Sequence, residues 1–172
     1  AGDIVGRYDK IHMFDVTVTE AETYRESKAY RPGDYATLVQ TPFGAVGMSI
    51  CYDVRFAYLY RALAQAGAEI LLVPAAFSPV TGAAHWETLL RARAIETGCY
   101  VLAAAQTGTF DPDAKRPRTT HGHSMVISPW GDILADGGTD ATIVMVDIDA
   151  AEVSHARKRI PALTHDRDFT GP

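Results

Sequence analysis

The chain has 172 residues, 47% of them hydrophobic, which is enough to bury one ordinary core, so a single domain is expected. A formal net charge of −5, with its basic residues scattered, gives no pull toward nucleic acid or anionic membrane, and no apolar run approaches the roughly 20 residues of a bilayer span. Two cysteines, Cys51 and Cys99, lie far apart with no Cys/His cluster at zinc spacing, so a cytoplasmic, metal-free protein is expected.

The chain opens Ala1-Gly2-Asp3-Ile4-Val5, without an initiator methionine and directly on a strand-like segment, as if something precedes it. Residues 4–14 predict a strand, followed by a polar stretch over 17–34 with a turn at Arg31-Pro32-Gly33-Asp34. Residues 36–41 and 45–51 predict a hairpin across Pro42-Phe43-Gly44. After Cys51 the period becomes helical, with Phe56, Leu59, Tyr60 and Leu63 on one face and Gly67 at the end. The apolar run 69–76 predicts a strand covered on both faces, residues 82–98 a second helix with a Glu87–Arg91 pair, and 99–105 another buried strand. Residues 121–128 and 132–136 predict a hairpin across Pro129-Trp130-Gly131, 142–147 a further strand, and a last helix begins near Asp149. Strands alternating with helices and then hairpins indicate a layered α/β fold.

Cys51 ends an alternating strand whose other face carries the small residues Ala45, Gly47 and Ser49, which leaves room for a ligand above the sulfur. A helix starting just after it would favour the thiolate through its positive end. From the residues alone Cys51 is either a nucleophile or a small buried hydrophobe, and both readings stay open. Cys99, ahead of Tyr100-Val101-Leu102, reads as structural. Lys10 shares a strand face with Ile4, Tyr8, His12 and Phe14; pointing inward it needs a counter-ion, and on an edge strand it would instead block aggregation.

Four blocks together reach a family. Tyr8-Asp9-Lys10-Ile11-His12-Met13-Phe14-Asp15, Cys51-Tyr52-Asp53-Val54-Arg55-Phe56, Ala84-His85-Trp86-Glu87 through Glu96, and Gly122-His123-Ser124 through Gly131 resemble, in order, segments of the nitrilase (carbon-nitrogen hydrolase) superfamily. The resemblance is closest to a branch of amidases for small carboxylate-bearing amides. It implies a four-layer αββα sandwich, incomplete in this chain for want of its amino-terminal segment. It also implies a small-molecule amide and water as reactants, no cofactor, and a homodimer or larger homo-oligomer. Cys51 is then the nucleophile, Lys10 the cation beside it, the Tyr52 backbone N–H part of the oxyanion site, and Glu26 an accessory glutamate. The family's general base is a glutamate upstream of the lysine, and no residue here matches that segment. Where many relatives read Arg-Phe-Pro-Glu-Leu, this chain has Arg55-Phe56-Ala57-Tyr58-Leu59, which removes a preset φ and a helix-start charge.

Arg55, one helical turn beyond Cys51, is expected either to fork onto a substrate carboxylate or to pair with Asp53. Thr81 is either a donor to the substrate or the N-cap of the second helix. His85, Trp86 and Glu87 are expected to hold that helix in place. An N-carbamoyl-amine hydrolase, an acyltransferase or a non-catalytic interaction module are the alternative functions.

Overall fold

A computed structural model describes residues 2–20, 22–114 and 117–171. The elements run β1 (Asp15–Thr19), β2 (Glu22–Arg25), β3 (Thr37–Thr41), β4 (Gly44–Met48), α1 (Ala57–Gln65), β5 (Ile70–Leu72), α2 (Pro79–Thr97) and β6 (Tyr100–Ala103). They continue with β7 (Thr107–Phe110), β8 (Arg118–His121), β9 (Met125–Ile127), β10 (Ile133–Asp136) and α3 (Ala151–Arg159). Six strands make one mixed sheet in the order β10-β9-β6-β5-β4-β3, and β1-β2 and β7-β8 form two separate ribbons. The centre of the sheet is parallel: Val46, Ile70 and Tyr100 stand in register across β4, β5 and β6. Antiparallel partners, β3 and β9, flank that parallel core.

The alternation of each central strand decides what covers the sheet. Leu71, Val73, Val101, Ala103, Met125 and Ile127 face α1 and α2 and join Leu63, Trp86, Leu90 and Ala94 in one buried cluster. Fully burying a large apolar side chain of this kind stabilises by roughly 1.5–3 kcal/mol. Tyr60 belongs to the same layer, and its hydroxyl is 2.5 Å from Ser49 Oγ. The small residues of β4 therefore serve the helix and not a ligand. A Cβ on Gly47 would stand 3.2 Å from a methyl of Leu63 and 3.0 Å from one of Leu71, so the room expected above the small-residue face is filled by α1 and β5.

On the other face Val46, Met48, Leu72, Leu102 and Val126 are half-buried, and Val153 of α3 forms a small buried cluster with Ile70 and Tyr100 against which Val46, Leu72 and Leu102 pack. The described residues thus form one helix-covered sheet of a mixed α/β fold. They do not form the four-layer sandwich that the resemblance implies. Residues 4–14 and 142–147, expected as strands, have no hydrogen-bonded ladder partner among the described residues. The expected alternation holds only in part: Tyr8 and Lys10 are half-buried between exposed Arg7 and Asp9, but Ile4 is exposed, residues 10–14 are all half-buried and Ile11 packs against the core, while Ile143 and Met145 are exposed.

Helix α2 begins three residues earlier than its apolar pattern suggests. Ser78 Oγ accepts the Thr81 N–H at 3.4 Å and Pro79 occupies the first helical position, so Ser78 is the N-cap and Thr81 is not. Gly98, at φ 59°, ends the helix in the left-handed conformation that glycine tolerates best. Gly82, in its first turn, meets β8: a Cβ there would come within 2.2 Å of the His121 ring. Among the described residues no helix is long and apolar enough to cross a membrane.

Candidate active site

Beyond Met48 the chain keeps the parallel register, with the Ser49 N–H on the Leu72 carbonyl at 3.2 Å and the Cys51 N–H on that of Pro74 at 2.9 Å. At Cys51 the backbone turns sharply into a 3-10 turn, Cys51–Arg55, with φ 52° at the cysteine itself. A non-glycine residue in this left-handed region costs on the order of 1–3 kcal/mol and persists only where its surroundings over-determine it. The turn lifts the thiol to the carboxyl ends of the parallel strands, the customary ligand edge of an open α/β sheet. There it lines a cavity of about 800 Å³, with the ends of β5 and β6 as floor and the β1–β2 ribbon on one side.

Lys10 and Glu26 line the same cavity and form an ion pair in which the ammonium donates to Glu26 Oε2. That oxygen also accepts the Phe14 N–H at 2.6 Å. The segment carrying Lys10 is held from outside by Gly33, whose N–H donates to the Lys10 carbonyl at 2.8 Å. Any larger residue at 33 would drive its Cβ into the Asp9 carbonyl, which is why the turn there needs glycine.

Burial is the largest influence on the Cys51 thiol and pushes its pKa up; a backbone hydrogen bond from Ala76 and the cations Lys10 and Arg118 pull it down, while Glu26 opposes them. The expectation of a thiol poised as thiolate by a helix end is thereby corrected. The following helix is a 3-10 turn, and desolvation outweighs the favourable charges. Cys99 is fully buried; its thiol, also pushed up by burial, donates to the Ala68 carbonyl at 3.2 Å and takes no part in the cavity.

Behind the thiol lies a carboxylate that sequence reasoning treated only as a partner for Arg55. Asp53 has 0% exposure and accepts four hydrogen bonds. They come from Tyr8 Oη at 2.7 Å, the His12 N–H at 3.0 Å, His12 Nδ1 at 2.7 Å and the Ile50 N–H at 2.9 Å. The His12 ring stacks on Phe56 at 3.5 Å and its Nε2 meets the Tyr58 hydroxyl. The local signal was the spacing itself: Tyr8 and His12 flank Lys10, and Asp53 follows Cys51 by two.

Of the remaining expected site residues, the Tyr52 ring meets Phe14 and Phe56 edge-on, while its backbone N–H, next to the sulfur, has no backbone acceptor among the described residues. Arg55 lies outside the cavity. Its guanidinium is 3.2 Å from His85 Nδ1 and rests over Phe77 and Tyr52, so it pairs with neither Asp53 nor the cavity. Thr81 lies in the first turn of α2 with its hydroxyl 3.1 Å from that of the N-cap Ser78, also away from the cavity. Trp86 donates to the His123 carbonyl at 2.8 Å, which ties α2 to the segment before β9, while Glu87 pairs with Arg91 inside the helix at 3.3 Å. Arg118, which no sequence pattern singled out, does line the cavity.

The family model described as "Carbon-nitrogen hydrolase" matches residues 1–158. The deaminated glutathione amidase of Yersinia enterocolitica is 47% identical over 167 residues, covering 96% of this chain and 57% of that protein. The human omega-amidase NIT2 is 42% identical, with 96% of this chain and 59% of that protein covered. Among solved structures, the C. elegans NitFhit protein superposes with a TM-score of 0.86 at 43% identity, over 95% of this chain and 39% of that one. The chain therefore spans less than two thirds of the length of these relatives.

Proposed function

The chain belongs to the carbon-nitrogen hydrolase family, and from that premise we propose that it is part of an amidase. In this reading the enzyme opens the C–N bond of a small carboxylate-bearing amide through a thioester on Cys51. The observation that carries the reading is the convergence of Cys51, Lys10 and Glu26 on one cavity from segments far apart in sequence.

The thiolate of Cys51 attacks the amide carbonyl, and negative charge gathers on the oxygen. Lys10 Nζ and the Tyr52 N–H are the donors proposed to meet it, held in place before the substrate arrives. Collapse of the tetrahedral intermediate, with the proton taken from the thiol handed to the departing nitrogen, expels ammonia and leaves an acyl thioester, which water then hydrolyses to the acid and the free thiol. Glu26 fixes the ammonium through its ion pair and is held in turn by the Phe14 N–H. It is the one carboxylate lining the cavity among the described residues, and it is already engaged with the cation. In the family the base that takes the thiol proton is a glutamate upstream of the lysine, and the proposal gives that step to its counterpart.

The test is acyl trapping in the intact protein. Incubation with an amide, followed by hydroxylamine, should yield a hydroxamate, and rapid quenching should leave the acyl mass on the peptide containing Cys51. Cys51→Ala should abolish both signals and the release of ammonia, while Cys99→Ala keeps them. Ammonia release by Cys51→Ala at the wild-type rate would sink the proposal.

A further inference from the structure

Three cations line the cavity, and they differ in what already occupies them. Lys10 is tied to Glu26. Arg25 gives its Nη1 to the carbonyls of Val16 at 3.2 Å and Tyr24 at 2.7 Å. Arg118 makes one long contact, from Nη2 to the Ala76 carbonyl at 3.3 Å, and has no carboxylate partner among the described residues. A guanidinium carries five N–H donors, so most of this fork is uncommitted at the rim of the cavity.

The fork is also held in place. Its carbon lies 5.7 Å from the centre of the Tyr24 ring, a cation–π distance, and Tyr24 donates to Glu22 Oε1 at 2.6 Å. Burial and that bond push the Tyr24 pKa up to about 12, so the ring stays a neutral platform. The Ala76 residue joins the two ends of the site: its amide faces the Cys51 sulfur and its carbonyl receives Arg118.

We propose that Arg118, and not Arg55, binds the carboxylate of the substrate while its amide carbon lies at Cys51. This rests on the amidase reading for the word substrate, but the anion site itself stands on the geometry of Arg118. A paired guanidinium–carboxylate contact made alike in ground and transition states changes affinity more than the barrier of the bound complex.

Two measurements on the intact protein separate the inference from the amidase reading. In the first, succinamate and its methyl ester are compared as substrates. Arg118→Gln should raise KM for succinamate by roughly 10- to 100-fold, the range for a charged hydrogen bond, and the ester, which lacks the carboxylate, should lose far less. In the second, Cys51 is alkylated with iodoacetate or iodoacetamide, which needs no turnover. Arg118→Gln should slow iodoacetate several-fold relative to iodoacetamide, and Arg118→Lys, which keeps the charge but loses the fork, should restore much of that ratio without restoring KM. If neither amide is hydrolysed, the amidase reading fails and the alkylation ratio still decides for or against Arg118. An unchanged ratio in Arg118→Gln, or equal loss on succinamate and its ester, overturns the inference.

Discussion

His12 Nδ1 lies 2.7 Å from Asp53 Oδ1, and this contact joins the residue two places after Lys10 to the residue two places after Cys51. The two chemical groups of the site belong to segments with no shared ladder, since the residues around Lys10 form no sheet pair. A buried carboxylate taking four donors supplies the registration that a strand pairing would otherwise give.

Asp53→Asn tests that registration. The amide offers one acceptor oxygen and turns an NH₂ group toward donors from Tyr8 and Ile50 or from His12. Breaking a buried charged network of this kind costs about 3–5 kcal/mol. A large fall in the melting temperature is expected, and in the fraction that remains folded kcat should drop more than KM rises. A variant with wild-type melting and wild-type kcat shows that Lys10 is positioned by something else.

Lys10→Met removes the ammonium and keeps the length of the side chain. One preorganised donor is typically worth ~10²–10³ in rate, so turnover should fall by at least that factor. Glu26 is then left without its cation, and the double variant Lys10→Met with Glu26→Gln should recover stability but not activity. Recovery of turnover in the double variant contradicts the role given to Lys10.

The thiol predicts a pH dependence with a definite sign. Burial raises the Cys51 pKa above its ordinary value of 9.0, so the neutral form is favoured in the native state. Its contribution to stability is present below pH 9 and is lost as pH rises through that value toward the native pKa, because the unfolded thiol ionises first. Wild type should therefore lose more stability than Cys51→Ser on the alkaline side. Alkylation of Cys51 by iodoacetamide should still be climbing at pH 9, and Lys10→Met should move the profile higher. A plateau already reached at pH 7 means a resting thiolate and contradicts the dominance of burial.

Several of these features are legible in the sequence, and others are hidden for identifiable reasons. Lys10, Glu26 and Cys51 sit in motifs whose residue types carry chemistry, and the fold does bring them to one cavity. Three members of the α1 stripe, Leu59, Tyr60 and Leu63, obey the helical period and are buried, while the fourth, Phe56, stands at the N-cap and is half-buried. Arg55 stands outside the cavity lining, where the turn after Cys51 is 3-10. Four residues advance about 40° around an α-helix but about 120° around a 3-10 helix, which carries the guanidinium away from the sulfur. The strand readings of 4–14 and 142–147 miss the pairing, since alternation reports a face and a ladder needs a neighbour, and in 4–14 the unpaired backbone also lets Ile4 stand exposed and Ile11 turn to the core. Arg118 is hidden because its importance comes from the Ala76 carbonyl and the Tyr24 ring, neither near it in sequence.

Gly82 gives a handle on Arg118 that lies away from the cavity itself. The His121 ring occupies the space where a side chain at 82 would begin, and His121 is the last residue of the four-residue strand β8 that Arg118 opens. The first turn of α2 thus acts as a stop against which β8 is seated. Even a single methyl group at position 82 must push that strand outward, and the displacement is passed along a short, stiff lever to the guanidinium at its other end. Selection on substrate preference could therefore act on a helix residue that touches no substrate, with Gly82→Ala mimicking in part the loss of Arg118 while leaving its side chain intact.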